Sequence, residues 1–280
     1  MDSMTSTSAP PSGEGRSCSN ASDPVGATTV VDVRRVVRTF EGDRAPARAL
    51  RDASLTVREG EFVAVVGPSG CGKSTLLNLV AGLDVPDEGS VTVLGHRMDE
   101  LSLDERAVLR RESIGMVFQF FHLLDSMTVL DNVALPRRLG GATRVAAERR
   151  GMDLLDLLGL ADLATSTIGT LSGGQRQRLA IARSLANEPA LLLADEPTGA
   201  LDSEGGDEVM ELFTRLHQSG RTIVMVTHEP LVAGRADRVV DLADGRTVTV
   251  SDVVASDVAA SDVVASDVGG TVVGPTGIDR

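Results

Sequence analysis

Apolar residues in this chain fall into short runs closed by glycine, proline or charge, and into longer stretches where they recur at helical spacing. The short runs predict strands at residues 30–40, 53–57, 61–66, 90–94, 114–118, 190–194, 222–227, 238–242 and 247–250. A polar stretch at 41–47 follows the first, and the run at 114–118 ends at Gln119. The longer stretches predict a helix opening at 75–80, a charged one at 103–111, a helical segment from 128 to about 163, another at 173–186 and an amphipathic one at 207–217. Within 128–163, Val145, Met152, Leu154, Leu155, Leu157, Leu158 and Leu160 supply apolar faces with arginines between them. Strands alternating with helices predict an α/β fold, a mostly parallel sheet with helices on its faces.

Both ends lack these patterns. Residues 1–28 are rich in Ser, Thr, Pro and Gly and are expected to be disordered. Residues 251–280 form a low-complexity acidic tail that repeats a five-residue unit, Ser251-Asp252-Val253-Val254-Ala255, with further units opening at Ser256, Ser261 and Ser266. That period matches neither strand nor helix, so the valines cannot gather on one face and offset the entropy of ordering. Disorder is expected there; the sharper alternative is an acidic peptide that docks on a partner. A folded body over 29–250 remains.

Composition narrows the function. A net charge of −13 argues against general nucleic-acid binding, which depends on neutralising phosphates. Cys18 and Cys71 form neither a disulfide framework nor a metal site. No apolar run approaches the roughly 18–20 residues of a membrane span, and the N-terminus lacks the basic and apolar regions of a signal peptide. The expectation is a soluble, intracellular protein whose membrane role, if it has one, comes through a partner.

Lys73 is the sole lysine; every other basic residue is arginine. It stands in Gly67-Pro68-Ser69-Gly70-Cys71-Gly72-Lys73-Ser74-Thr75, which fits the phosphate-loop pattern G-x-x-x-x-G-K-[ST] between a predicted strand and a predicted helix. Glycines there let backbone N–H groups turn inward on an anion, and the following helix adds the positive end of its dipole. Lys73 would reach the β/γ phosphates as a compact point charge, which a planar guanidinium cannot replace. The Ser74 hydroxyl would ligate Mg²⁺. The apolar strand Leu191-Leu192-Leu193-Ala194 ends in Asp195 and Glu196: one carboxylate to hold the metal, one to polarise an attacking water. Leu171-Ser172-Gly173-Gly174-Gln175 is a second glycine-bearing loop opening a helix, another anion site by the same dipole logic. Two such helix starts in one chain suggest a nucleotide held between two copies.

These motifs, together with Gln119, Gly199-Ala200-Leu201-Asp202 and His228, occur in an order that resembles the ATP-binding cassette (ABC) ATPases over residues 29–250. The residues at 44–50, Leu76-Leu77-Asn78-Leu79 and the run from Val117 to Leu124 resemble the lipoprotein-releasing and macrolide-export branch, with the cell-division ABC ATPase a close cousin. The resemblance implies a mostly parallel sheet with an N-terminal antiparallel part and a helical subdomain at about 120–188. It implies an ATP- and Mg²⁺-dependent ATPase subunit at the inner face of the cell membrane, paired with a second copy and powering a separate permease for export or for extrusion of lipoproteins or other substrates. The alternative is a regulatory cassette that drives a membrane protein in wall remodelling or division without transport.

By the same resemblance, Lys73, Ser74, Thr75 and the loop amides from Gly67 to Gly72 bind phosphates and metal. Gln119 touches the metal, senses the γ-phosphate and links to the permease. Glu196 and His228 act in hydrolysis, and Phe40 stacks on adenine. Ser172, Gly173, Gly174 and Gln175 complete the opposing copy's site, and Asp202 couples the two sites. Phe120 and Phe121 are read as a groove for a partner helix, Phe118 as core. Arg137, Arg138, Arg149 and Arg150 are read as solvated helix charges. Phe40 in place of a tyrosine, Ala200 in place of an asparagine, and the segment 165–170 depart from the family pattern. A GTPase reading fails, because its base-reading Asn-Lys-x-Asp needs a further lysine.

Overall fold

The computed structural model describes residues 28–42 and 46–252. Strands β1 (Thr29–Phe40) and β2 (Ala47–Arg58) form a long antiparallel pair. β3 (Phe62–Val66) then leads through a glycine-rich loop into α1 (Lys73–Val80). β4 (Glu88–Val93) and the short β5 (His96–Arg97) are followed by α2 (Leu103–Ser113) and β6 (Ile114–Val117). Three helices come next: α3 (Val129–Leu139), α4 (Arg144–Leu157) and α5 (Gly173–Ser184). The chain closes with β7 (Leu191–Asp195), α6 (Ser203–Gln218), β8 (Thr222–Thr227), the short α7 (Pro230–Ala233), β9 (Arg238–Ala243) and β10 (Arg246–Asp252).

The strands lie in the order β5-β4-β1-β2-β10-β9-β3-β8-β7-β6. From β9 to β6 every neighbour is parallel, as expected where helices make the crossovers. β5, β4, β1 and β2 pair antiparallel, and β10 bridges the two parts, joining β2 at Arg246 and Asp52. The central parallel strands β3, β7 and β8 are buried on both faces, and their side chains alternate between two cores. Phe62, Ala64, Leu192, Ala194, Ile223 and Met225 face the core shared with α3–α6. Val63, Val65, Leu191, Leu193, Val224 and Val226 face the one shared with α1 and the antiparallel part.

Helix starts follow capping chemistry. Ser102 with Glu105, and Ser172 with Gln175, form capping boxes. Thr128, Thr143 and Asp202 accept from the N–H three residues on. Several boundaries differ from expectation. The segment at 128–163 breaks at Gly140-Gly141, where Gly141 adopts φ 89°, so it forms two helices and a short 3₁₀ turn at Ala161–Leu163. α6 starts four residues early because the Asp202 cap outweighs the helix-weakening Gly205-Gly206. β2 extends well before residue 53 because β1 pairs along its whole length.

Phe118 is a further correction. It lies past the end of β6, half-buried, with its ring 4.6 Å from that of His122 rather than in either core. Arg137 and Arg150 are not simply solvated: both reach Glu188, at 3.9 and 3.7 Å, and Arg137 donates to Ala186 O. Thr28 accepts from Glu59 N–H, and β10 takes in Ser251 and Asp252, so both ordered ends overlap the expected disordered segments. The rest of those segments lies outside the described residues. Among the described residues no helix is long and apolar enough to cross a membrane.

Candidate nucleotide site

β3 ends on the loop from Gly67 to Gly72, which is wedged between backbone on two sides. A Cβ on Gly67 (φ 152°) would lie 2.1 Å from Leu242 O, and one on Gly72 (φ 108°) 2.4 Å from Ala49 O. Only glycine fits either position. The β9–β10 turn secures the loop from below, Gly245 N–H donating to Cys71 O. Cys71 itself is a buried free thiol.

Lys73 opens α1 and is only 5 % exposed. Its ammonium donates to Gly67 O at 2.8 Å and Pro68 O at 3.0 Å. A buried cation whose hydrogen bonds go to two neutral carbonyls is only partly compensated. Ser74 Oγ donates to Asp195 Oδ1 at 3.1 Å, joining the start of α1 to the end of β7. Burial raises the Asp195 carboxyl above the ordinary aspartate range; the Ser74 hydrogen bond and the Lys73 charge pull it back, while the Glu196 charge adds to the rise.

Glu196 follows at φ 44°, the left-handed region that costs a non-glycine residue about 1–3 kcal/mol and concentrates at functional sites. Its N–H donates to Val226 O at 2.9 Å, which locks it to the end of β8. There His228 Nδ1 stands 3.3 Å from Glu196 Oε1. Gln119 leans on Gly199: a Cβ on that glycine would lie 2.9 Å from the Gln119 amide nitrogen.

Ser69, Gly70, Gly72, Lys73, Ser74, Thr75, Gln119, Asp195 and Glu196 thus line one cavity of about 340 Å³. Gly67 and Pro68 touch the cavity only through Lys73, which donates to both of their carbonyls, and Cys71 is not among its lining residues. The paired oxygens of Ser74 and Asp195 suit Mg²⁺, which prefers one or two protein oxygens and completes its shell with water and phosphate. Among the described residues no three His, Cys, Asp or Glu side chains cluster as a self-sufficient cage, so an ion here would depend on phosphate.

Other expected site residues lie elsewhere. Ser172, Gly173, Gly174 and Gln175 form the first turn of α5, with Ser172 and Gly173 exposed and none of the four in the cavity. Asp202 caps α6, accepting from Gly205 N–H at 2.9 Å, and lines a separate cleft with Glu229 and Arg235. Phe40 ends β1 opposite Ala47, 42 % exposed, with the Arg38 guanidinium 5.0 Å over its ring. One chain therefore holds the Lys73 cavity and, apart from it, a second exposed helix start. Ala49, which lines the cavity, and Glu229, which accepts from the Thr198 hydroxyl at 3.1 Å, were not anticipated; Glu229 directly follows His228, the one available signal.

The sequence model of the ABC transporter family matches residues 50–199. A macrolide export ATP-binding/permease protein MacB 1/2 of Paracoccus denitrificans is 49 % identical over 219 residues, 78 % of this chain and 33 % of that protein. An uncharacterized ABC transporter ATP-binding protein of Methanocaldococcus jannaschii is 43 % identical over 221 residues, 79 % of this chain and 99 % of that one. The chain thus spans about a third of the macrolide export proteins it matches and nearly all of the archaeal relative. The dimeric structure of the ATP-binding cassette MJ0796 in a post-hydrolysis state, bound to ADP and Pi, superposes with a TM-score of 0.75 at 39 % identity, covering 80 % of this chain and 99 % of that one. A second dimeric structure of the same cassette matches equally. This chain belongs to the ABC transporter family, as an ATPase cassette of the branch that includes the macrolide export proteins.

Proposed function

We propose that the chain hydrolyses ATP as the nucleotide-binding subunit of an exporter and drives a membrane permease from the inner face of the membrane. The observation that carries this is the convergence of Lys73, the Ser74–Asp195 pair and Glu196 on one cavity, with His228 beside Glu196.

On this reading Phe40 carries the adenine, and the loop amides from Gly67 to Thr75 cradle the phosphates. Lys73 leaves the Gly67 and Pro68 carbonyls for the β/γ phosphates. Mg²⁺, held by Ser74 and Asp195 with Gln119 beside them, would neutralise phosphate charge. Glu196 accepts a proton from water as the water oxygen bonds to the γ-phosphorus and ADP departs with the bridging oxygen's electron pair. His228 keeps the Glu196 carboxylate aimed and meets the γ-phosphate.

The exposed start of α5 has a use in a head-to-tail dimer. There Ser172, Gly173, Gly174 and Gln175 of one copy cover the γ-phosphate held by the other, and Asp202 links the two sites. Binding closes the pair, and hydrolysis with product release opens it. Residues 29–250 act as this cassette, with about 120–188 as a helical subdomain. Phe120, 71 % exposed, and the loop around Gln119 form the surface that meets the permease.

Phosphate release from purified chain with ATP and Mg²⁺ tests the reading. Turnover well above that of Lys73→Ala is expected; equal rates would overturn it.

A further inference from the structure

Helix α5 starts at the Ser172 cap, and two of its side chains reach the loops that carry Gln119 and Glu196. Near its far end, Arg183 donates to Phe121 O at 2.8 Å and, through its other terminal nitrogen, to His122 O. Phe121 and His122 follow Gln119 closely and sit at φ 58° and 47°. A left-handed conformation is unfavourable for a non-glycine residue, so two in succession need something to hold them. Their carbonyls are turned onto one guanidinium. Burial pushes the pKa of Arg183 below its ordinary value, with no carboxylate opposing the shift. A cation kept in a half-buried place by carbonyls alone is fixing backbone rather than pairing charge.

The middle of the same helix does the like for the other loop. Gln177 is fully buried and donates from Nε2 to Pro197 O at 2.6 Å. Pro197 follows Glu196, the third left-handed residue of the set. Among the described residues the Gln177 Oε1 atom has no hydrogen-bond partner, so the bond to Pro197 O is the one this side chain makes there.

We propose that Arg183 and Gln177 are positioning residues for hydrolysis: through the backbone at 121–122 and at 197 they hold Gln119 and Glu196 in fixed relation to the Ser172 end of α5. This rests on the nucleotide-site reading above. It adds a physical route by which contact at Ser172 is felt at both loops, because one rigid helix carries all three attachments.

The test uses the full chain with Arg183→Met and the milder Arg183→Lys. Arg183→Met lowers kcat by about tenfold or more with KM within about twofold, the scale of a small misplacement of reacting groups. Arg183→Lys recovers part of the rate. In a Gln119→Ala background the same substitution changes kcat by less than about twofold, because its route is already cut. Amide exchange rises at 119–123 while Ile114–Val117 stays protected. A rise in KM at constant kcat, a full tenfold loss in the Gln119→Ala background, or loosening of Ile114–Val117 as well would overturn the proposal. Should the unaltered chain fail to hydrolyse ATP, the functional reading falls, and amide exchange still decides whether Arg183 holds the loop. Should Arg183→Met not fold, Arg183→Lys carries the same comparisons.

Discussion

Ser74 Oγ donates to Asp195 Oδ1 at 3.1 Å, a bond between the first turn of α1 and the last residue of β7. It brings a carboxylate into a place where burial favours its protonated form. The folded chain therefore holds the Asp195 proton more tightly than the unfolded chain. Stability falls as pH rises from the ordinary aspartate value, about 3.9, through the raised folded value, and stays lower above it. Asp195→Asn removes that penalty. At pH 7 it raises the stability of the nucleotide-free chain while abolishing Mg²⁺-dependent turnover. Calorimetry beside a phosphate-release assay checks both halves.

Lys73→Arg keeps the charge and is expected to fail. The buried space around Gly67 O and Pro68 O fits a tetrahedral ammonium, and a planar fork cannot make the same bonds. ATP affinity drops by about tenfold or more, the worth of one charged hydrogen bond. Titration with a fluorescent ATP analogue measures it.

Two loop glycines separate contact from conformation. Gly67→Ala drives a Cβ to 2.1 Å from Leu242 O and costs about 3 kcal/mol or more. Gly70→Ala also sits at positive φ, 78°, with nothing within 4 Å, and costs about 1 kcal/mol. Urea unfolding of the two variants gives the ordering directly.

His228→Ala removes the group 3.3 Å from Glu196 and leaves the phosphate loop intact. The kcat falls about a hundredfold, the range of one general acid–base partner, and ATP affinity changes little. Steady-state kinetics with direct binding separates the two effects.

The phosphate loop was legible because its chemistry tolerates few alternatives: one compact cation, and glycines where Leu242 O and Ala49 O crowd the backbone. The strand-end pair Asp195-Glu196 was legible in its place at the cavity for a similar reason, since two half-buried carboxylates closing an apolar run need compensation. What stayed hidden depends on distant partners. The early part of β2 forms because β1 lies beside it. Phe118 reads as a strand residue, yet β6 ends one position earlier and its ring turns to His122. Arg137 and Arg150 look like surface charges until the fold brings Glu188 between them. Arg183 and Gln177 carry no local signal at all, because their acceptors are backbone carbonyls far along the chain.

The central claim is a nucleotide pocket completed by a second molecule. Its most direct test is sedimentation of Glu196→Gln with ATP and Mg²⁺, where ATP binds and is not cleaved. A stable dimer that returns to monomer on ATP removal is predicted; a variant that binds ATP yet stays monomeric, or that still releases phosphate at the unaltered rate, would contradict the account.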